Sequence, residues 1–151
     1  MKRIRTLACA LLVAAATALP AAAQTPAPTT AATEAQYNDA VREVRQALEA
    51  WRLAWELGDF KSYQSIYDPA FMGAESSRKE WEQQRRSRLA RKDIAVKIEK
   101  LEARLVNDSE MEVRFIQHYS AGRRSDTGEK RMTLKRVKGA WLITQETWKA
   151  T

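Results

Sequence analysis

The stretch that decides the fold is residues 94–119, IAVKIEKLEARLVNDSEMEVRFIQHY. Its apolar residues recur at every second position, which is the period of a β-strand with one buried face. The alternation that runs from Ile94 to Ile98 continues from Leu101 on the opposite parity. Such a change of parity predicts a β-bulge near residues 99–100, because one extra residue moves the following side chains to the other face.

The rest of the C-terminal half predicts an antiparallel meander of four strands. Apolar residues occupy both parities of the last strand, so we expect both faces of the sheet to be covered there, one by helices and the other by a second subunit. In chain order, the predicted elements after the first strand are a turn at 107–109, a strand over 111–119, a polar loop over 121–128, a strand around Met132 and Leu134, a tight hairpin at Lys138-Gly139 and a last strand over 140–148.

Upstream of the strands the apolar period is 3.6, which is typical of helices. A first helix is predicted from Gln36, with an apolar stripe that reaches Trp55 and with Gly58 just past its end. Asp59 is a suitable cap for a short second helix that ends before Asp68-Pro69. The order Ser77-Arg78-Lys79-Glu80 is a capping box that opens a third, strongly basic helix running to about Lys92.

Helices that precede and do not alternate with strands indicate an α+β fold. We therefore predict three N-terminal helices packed on one face of a curved, antiparallel sheet of four or slightly more strands. The domain is expected to span residues 36–151. Residues 24–35, QTPAPTTAATEA, are rich in Pro, Thr and Ala and are predicted to form a flexible tether.

The N-terminus has the pattern of a secretory signal peptide. Three basic residues precede an apolar run over 7–19, Pro20 ends that run, and small residues lead to a cleavage site between Ala23 and Gln24. Thirteen apolar residues are too few to cross a bilayer, which takes about 20. We expect residues 1–23 to be removed, leaving a periplasmic or otherwise secreted chain without a transmembrane segment.

The composition of the mature chain excludes functions that depend on cysteine and makes several others unexpected. The only cysteine, Cys9, lies in the predicted signal peptide, so no disulfide, Cys nucleophile or Cys metal ligand is expected. The single histidine, His118, has the parity of the face away from the helices, which predicts a surface or interface position. No catalytic residue, metal or cofactor is predicted. After cleavage 23 basic residues stand against 19 acidic ones, and this mild excess in an exported protein argues against nucleic acid as a partner.

The ordered residues resemble the nuclear transport factor 2-like superfamily, which includes ketosteroid isomerases and polyketide cyclases. Within it they are most similar to the periplasmic domains associated with L,D-transpeptidases. The resemblance implies a cone-shaped fold with a pocket between sheet and helices, and it implies a role with peptidoglycan peptides or partner proteins. The residues that carry it are Trp51-x-x-x-Trp55, Asp59, Tyr63, Tyr67, Phe71, Trp81-x-x-x-Arg85-x-x-Arg88, Phe115-x-Gln117-x-Tyr119 and Trp141-x-Ile143-x-x-Glu146.

The pocket implied by this fold is the place to look for chemistry. An arginine matches a carboxylate in a two-pronged geometry, and the stem peptides of peptidoglycan end in carboxylates. Aromatic side chains would supply the walls of such a pocket. The predicted ligand-binding residues are Trp55, Tyr63, Tyr67, Trp81, Arg85, Phe115, Gln117, Tyr119, Trp141 and Glu146.

Structural roles for the same residues remain open at this point. Aromatic residues at helical and strand spacing are usually core residues. Arg85 has Glu146 and Glu82 as alternative ion-pair partners, and Gln117 could satisfy backbone groups at a bulge. The sequence does not settle which way Glu146 points, and the basic third helix could be simply a solvated face.

Two functions follow from this pattern. The first is an exported, non-enzymatic binding or accessory domain, linked to peptidoglycan or to an envelope protein and expected as a homodimer. The second is a small-molecule isomerase, cyclase or dehydratase that uses a carboxylate, with Glu146 the only evident candidate. A buried pocket carboxylate without a cationic partner would favour the enzyme, and an arginine facing that carboxylate among aromatic walls would favour binding or a purely structural role.

Overall fold

Three helices precede a four-stranded antiparallel sheet in the computed structural model, which describes residues 30–151. The sheet order is β1-β2-β3-β4, a meander, and the predicted α+β class is confirmed. The predicted signal peptide and residues 24–29 of the predicted tether lie outside the described residues. The elements are α1 (Thr30–Glu56), α2 (Phe60–Ser65), α3 (Arg78–Leu89), β1 (Ile94–Asn107), β2 (Glu110–Ala121), β3 (Arg124–Val137) and β4 (Ala140–Ala150).

Helix α1 begins six residues before its predicted start at Gln36. The predicted tether therefore does not extend over residues 30–35, where the chain is helical because three alanines and a glutamate favour a helix. The apolar stripe was predicted correctly: Val44, Leu48 and Trp51 are fully buried.

Side-chain caps fix the starts of the two shorter helices. Asp59 accepts a hydrogen bond from the Ser62 N–H at 3.1 Å, and the Ser77 hydroxyl accepts one from the Glu80 N–H at 3.2 Å. The Glu80 carboxylate in turn accepts from the Ser76 N–H at 3.1 Å. Helix α3 ends at Leu89, before the predicted Lys92.

Two of the three register shifts in the sheet set which side chains face the helices. The predicted bulge in β1 is confirmed, since the register against β2 shifts between Glu99 and Glu102. A second bulge, which the sequence analysis did not predict, lies in β4: Thr133 pairs with Gln145, whereas the next residue of β3 pairs with Ile143. Before the bulge the odd-numbered residues Trp141 and Ile143 face inward. Because Thr144 is one extra residue, the even-numbered residues face inward after it.

The predicted polar loop over 121–128 was wrong. Gly122 and Arg123 form a two-residue turn, and β3 begins at Arg124, with residues 124–128 paired in register with residues 117–121 of β2. Polarity misled the prediction because this part of β3 extends past the apolar core, so its side chains are polar while its backbone pairing continues.

The outer face of the sheet is charged. Cross-strand ion pairs join Arg104 to Glu112 at 2.5 Å and Arg114 to Glu102 at 2.6 Å. Leu142, one of the apolar residues that suggested a second cover, is half-buried on this face. The homodimer stays a prediction.

Gly58 provides a test of how closely the turn after α1 approaches the end of α3. Its φ is +66°, and a Cβ at this position would lie 2.9 Å from the Leu89 carbonyl oxygen. We expect Gly58→Ala to lower the free energy of unfolding by about 2–4 kcal/mol, from left-handed strain and the backbone clash together. The measurement is urea denaturation followed by circular dichroism.

Gly122→Ala is the matched control. Gly122 also has a positive φ, +58°, but no atom lies within 4 Å of its added Cβ. The control should show only the conformational cost, about 1 kcal/mol. Equal losses in the two variants would contradict the close approach of this turn to the end of α3.

Candidate functional site

A cavity of about 480 Å³ opens between α3 and the inner face of the sheet. Its floor is formed by β2, β3 and β4, and one wall by α3 together with the segment that precedes it. Six of the ten predicted site residues line it: Trp55, Trp81, Arg85, Gln117, Tyr119 and Glu146.

The other four predicted residues do not line this cavity. Tyr63, Tyr67 and Phe115 are fully buried beneath its wall, where they support the residues that do. Tyr63 stacks on Trp81 with ring centroids 6.4 Å apart. Trp141 lies elsewhere, and its Nε1 donates a hydrogen bond to Glu43 of α1 at 2.9 Å.

A chain of buried hydrogen bonds leads from α1 to the sheet. The Trp51 Nε1 donates to the Tyr67 hydroxyl at 2.8 Å, and the Tyr63 hydroxyl lies 2.8 Å from the same oxygen. The Tyr67 hydroxyl donates to the Glu146 Oε2 at 2.8 Å. With its one proton given to Glu146, Tyr67 accepts from both Trp51 and Tyr63, so its hydrogen-bonding capacity is filled. Burial is the main reason why the pKa of Tyr63 rises to about 12.

Glu146 points into the protein because the β4 bulge turns the even-numbered residues that follow it inward. Its side chain is only 6% exposed, and its Oε1 accepts a hydrogen bond from the Lys130 Nζ, while Arg85 Nη2 lies 3.9 Å from its Oε2. Burial raises the pKa of Glu146, but Lys130, Arg85 and the hydrogen bond from Tyr67 lower it more, so the pKa falls below its ordinary value. The carboxylate is therefore ionised at neutral pH.

Lys130 was missed by the sequence analysis. It is buried, and burial lowers its pKa while the Glu146 carboxylate offsets part of that effect. The signal was present, because Lys130 has the parity of Met132 and Leu134, but the predicted polar loop placed the start of β3 too late. The three buried groups Lys130, Arg85 and Glu146 together leave one uncompensated positive charge.

Four buried side-chain atoms have no hydrogen-bond partner within the described part of the chain: Trp55 Nε1, Trp81 Nε1, Arg85 Nε and Gln117 Oε1. All four belong to residues that line the cavity. Glu82 does not pair with Arg85, since its carboxylate binds Arg78 at 3.0 Å. Buried polar groups in proteins are almost always paired, so three unpaired donors at one cavity indicate a site for a hydrogen-bond acceptor.

The mouth of the cavity is basic. Arg91 donates to the Tyr119 hydroxyl at 3.2 Å, whereas Arg88 forms no ion pair with any described residue. Burial lowers the pKa of Arg88, and the neighbouring positive charges of Arg85 and Arg91 lower it further. The cavity as a whole is lined by five basic residues, Arg85, Arg88, Arg91, Arg124 and Lys130, against three acidic ones, Glu75, Asp126 and Glu146.

His118 lies on the outer face, as predicted. Its ring nitrogens are 3.0 Å from the Thr127 hydroxyl and 3.0 Å from the Glu99 carboxylate. Within residues 30–151 no group of three or more His, Cys, Asp or Glu side chains is placed to hold a metal ion. No helix in that same range is long and apolar enough to span a membrane.

The family of the chain follows from comparison with known proteins. The family described as the Cds6 C-terminal NTF2-like domain matches residues 43–147, and the chain belongs to it. This confirms the predicted nuclear transport factor 2-like superfamily. No curated protein matches the sequence.

Solved structures share the fold at low sequence identity. Bd1075 of Bdellovibrio bacteriovorus has a TM-score of 0.69 and 22% identity over 78% of this chain, which covers 43% of Bd1075. A candidate scytalone dehydratase from Novosphingobium aromaticivorans has a TM-score of 0.68 and 9% identity, with 78% of this chain and 88% of that chain covered. The helical cell shape determining protein Pgp2 of Campylobacter jejuni, solved as a K307A mutant, has a TM-score of 0.59 and 21% identity, with 67% of this chain and 38% of Pgp2 covered.

Glu146→Gln tests the buried charge cluster. We expect the variant to unfold more easily at neutral pH, by about 3–5 kcal/mol, because it leaves Lys130 buried without its carboxylate. A carboxyl group whose pKa is lowered by folding stabilises the protein above its ordinary pKa of 4.5, and this stabilisation is lost as the pH falls through the folded-state value. The free energy of unfolding of the variant should therefore fall less than that of the wild type on acidification.

Glu112→Gln is the control, since its ion pair with Arg104 is exposed. Exposed pairs contribute at most about 1 kcal/mol, so the control should remain close to the wild type at each pH. Denaturation curves recorded from neutral to acidic pH give all three profiles. Parallel profiles for Glu146→Gln and the wild type would contradict an ionised, stabilising Glu146.

Proposed function

We propose that this chain is an exported, non-enzymatic binding domain whose cavity takes an anionic peptide. The ligand class is a peptide with a free carboxylate, and the stem peptide of peptidoglycan is the proposed member of that class. The observation that carries the proposal is the set of three unpaired N–H donors, on Trp55, Trp81 and Arg85, at a cavity with an excess of positive charge.

Arg85 is the central residue of the proposed site. Its side chain is 13% exposed, and its nearest acid, Glu146, lies at 3.9 Å, beyond hydrogen-bonding distance. Glu146 already accepts from Lys130 and Tyr67. A guanidinium has five N–H donors in a planar fork, so a ligand carboxylate would supply the acceptors that the described protein does not.

The place of action is proposed from two further observations. Residues 1–23 have the pattern of a signal peptide, which would export the domain. The structure of Pgp2, described as a helical cell shape determining protein, shares the fold. A link to the cell wall agrees with both observations. The link to L,D-transpeptidase systems is proposed from the resemblance of the ordered residues alone.

The alternative function is that of an isomerase, cyclase or dehydratase in the same cavity, and the candidate dehydratases among the similar structures favour it. Such chemistry needs a group that gains and loses a proton near neutral pH. Within residues 30–151, Glu146 is the only glutamate buried at the cavity floor, and its contacts with Lys130 and Arg85 hold it ionised. A carboxylate with a lowered pKa is a weak base, so the charge arrangement favours binding over acid–base catalysis.

Arg85→Gln tests the proposal directly. We expect the dissociation constant for an N-acetylated stem tetrapeptide to rise about 10- to 100-fold, because a hydrogen bond to a charged group is worth about 1.5–3 kcal/mol. The measurement is isothermal titration calorimetry of the purified protein. A tetrapeptide whose carboxylates are amidated should bind the wild type as weakly as the parent peptide binds the variant.

Arg86→Gln is the matched control on the same helix. Arg86 is exposed, with its guanidinium 3.8 Å from the centroid of the Phe60 ring, and it does not line the cavity. Its replacement should leave the affinity unchanged. Unchanged affinity in folded Arg85→Gln would contradict the proposed site, and loss of binding in both variants alike would show that helix stability rather than the cavity was measured. An envelope protein bound on the outer sheet face would be indifferent to Arg85.

A further inference from the structure

Trp148 is an exposed aromatic residue at the mouth of the cavity. It is 41% exposed and lines the cavity beside Glu146 and Lys130. In the sequence, Trp148 has the parity opposite to that of Trp141 and Ile143, but the β4 bulge turns it to the inner face, where it pairs with Lys130 across the ladder. Large aromatic side chains bury about 150–250 Å² when covered, so an open ring at a cavity mouth is available for a ligand.

The indole of Trp148 lies directly against Gly128 of β3. A Cβ at Gly128 would lie 2.7 Å from Trp148 Cε2 and 2.8 Å from Cζ2, and 2.4 Å from the Lys149 carbonyl oxygen. Any side chain at this position would displace the indole. Gly128 thus leaves the space in which the ring lies on the backbone of β3.

The surroundings of the ring are polar and of both signs. Arg124 and Asp126 have the same parity as Gly128 and also line the cavity. Neither forms an ion pair or a side-chain hydrogen bond with another described residue. One offers N–H donors and the other carboxylate acceptors, which is the combination that hydroxyl groups require because each hydroxyl both donates and accepts.

The charges near the ring limit what it would bind. Lys130, directly across the ladder, is paired with Glu146, and Arg124 and Asp126 carry opposite charges, so the four side chains together offer no net charge to a ligand ion on this indole. A neutral group with an apolar face and a polar edge fits instead, and a pyranose ring has this form. Its axial C–H groups carry partial positive charge and match the negative face of an aromatic ring.

We propose that Trp148 is a platform for a sugar ring and that the ligand is a glycopeptide, with its sugar on Trp148 and an acidic group of its peptide at Arg85. This inference rests on the proposed function. Arg85 and Trp148 line the same cavity, and Arg85 faces Glu146, which lies two residues before Trp148 on β4. A single ligand that reaches both residues therefore needs a sugar joined directly to a short peptide.

The test compares two probes on the purified protein by calorimetry. One is the N-acetylated stem tetrapeptide, and the other is the same tetrapeptide carried on an N-acetylglucosaminyl-N-acetylmuramyl disaccharide. The N-acetyl group keeps the charge of the two peptides equal. The wild type should bind the disaccharide probe about five- to tenfold more tightly, in line with the worth of one aromatic contact.

Trp148→Leu keeps an apolar side chain but removes the flat face. It should bind both probes equally, with the affinity for the tetrapeptide unchanged, and Trp148→Phe should keep part of the preference. Leu53→Ala is the control for loss of an exposed apolar side chain, since Leu53 is 43% exposed on α1 and does not line this cavity. Thermal denaturation of each variant confirms that it is folded.

The outcomes separate the two proposals. A preference that disappears in Trp148→Leu supports the platform. Equal binding of the two probes by the wild type, or a preference that survives in Trp148→Leu, overturns the platform and leaves the peptide site standing. Failure of both probes to bind at millimolar concentration overturns the peptide site, and the platform with it.

Discussion

The buried carboxylate of Glu146 is the constraint on which the rest of the site depends. It receives a hydrogen bond from Tyr67 on the helical side and one from Lys130 on the neighbouring strand. The Tyr67 hydroxyl in turn accepts a hydrogen bond from Trp51 of α1. A single charged group thus fixes the sheet against the helices, and removing either partner of such a buried pair would leave an uncompensated charge.

This cluster also decides what the cavity offers to a ligand. The Glu146 carboxylate already accepts hydrogen bonds from Lys130 and Tyr67. Arg85 is therefore left with an N–H donor that has no acceptor, beside the unpaired indole nitrogens of Trp55 and Trp81. Leaving buried donors unpaired costs about 1–3 kcal/mol each, so such groups usually gather where a ligand completes them. The basic mouth adds long-range attraction for anions. The unpaired donors therefore lower the stability of the ligand-free protein and become favourable only when a ligand accepts their hydrogen bonds.

Much of this arrangement could be predicted from the sequence, and the exceptions have common causes. Periods of 3.6 and 2 gave the helices, the meander and the inward direction of Phe115, Gln117 and Tyr119, because burial and hydrophobicity coincide in the core. The prediction failed where a buried residue is polar or where a polar segment is part of a strand. The start of β3 is polar because it extends beyond the core, so Lys130 was missed. The bulge at Thr144 left no sequence signal, so the direction of Trp148 was not predicted.

The most direct test of the account is a titration of the protein with the soluble stem tetrapeptide, read from the indole N–H signals of its five tryptophans by NMR. The unpaired indoles of Trp55 and Trp81 should shift saturably as the cavity fills. Trp51 and Trp141, whose indoles already donate to Tyr67 and Glu43, should stay in place. Static signals from Trp55 and Trp81 at millimolar ligand, or shifts confined to Trp141, would contradict an acceptor-binding cavity at Arg85.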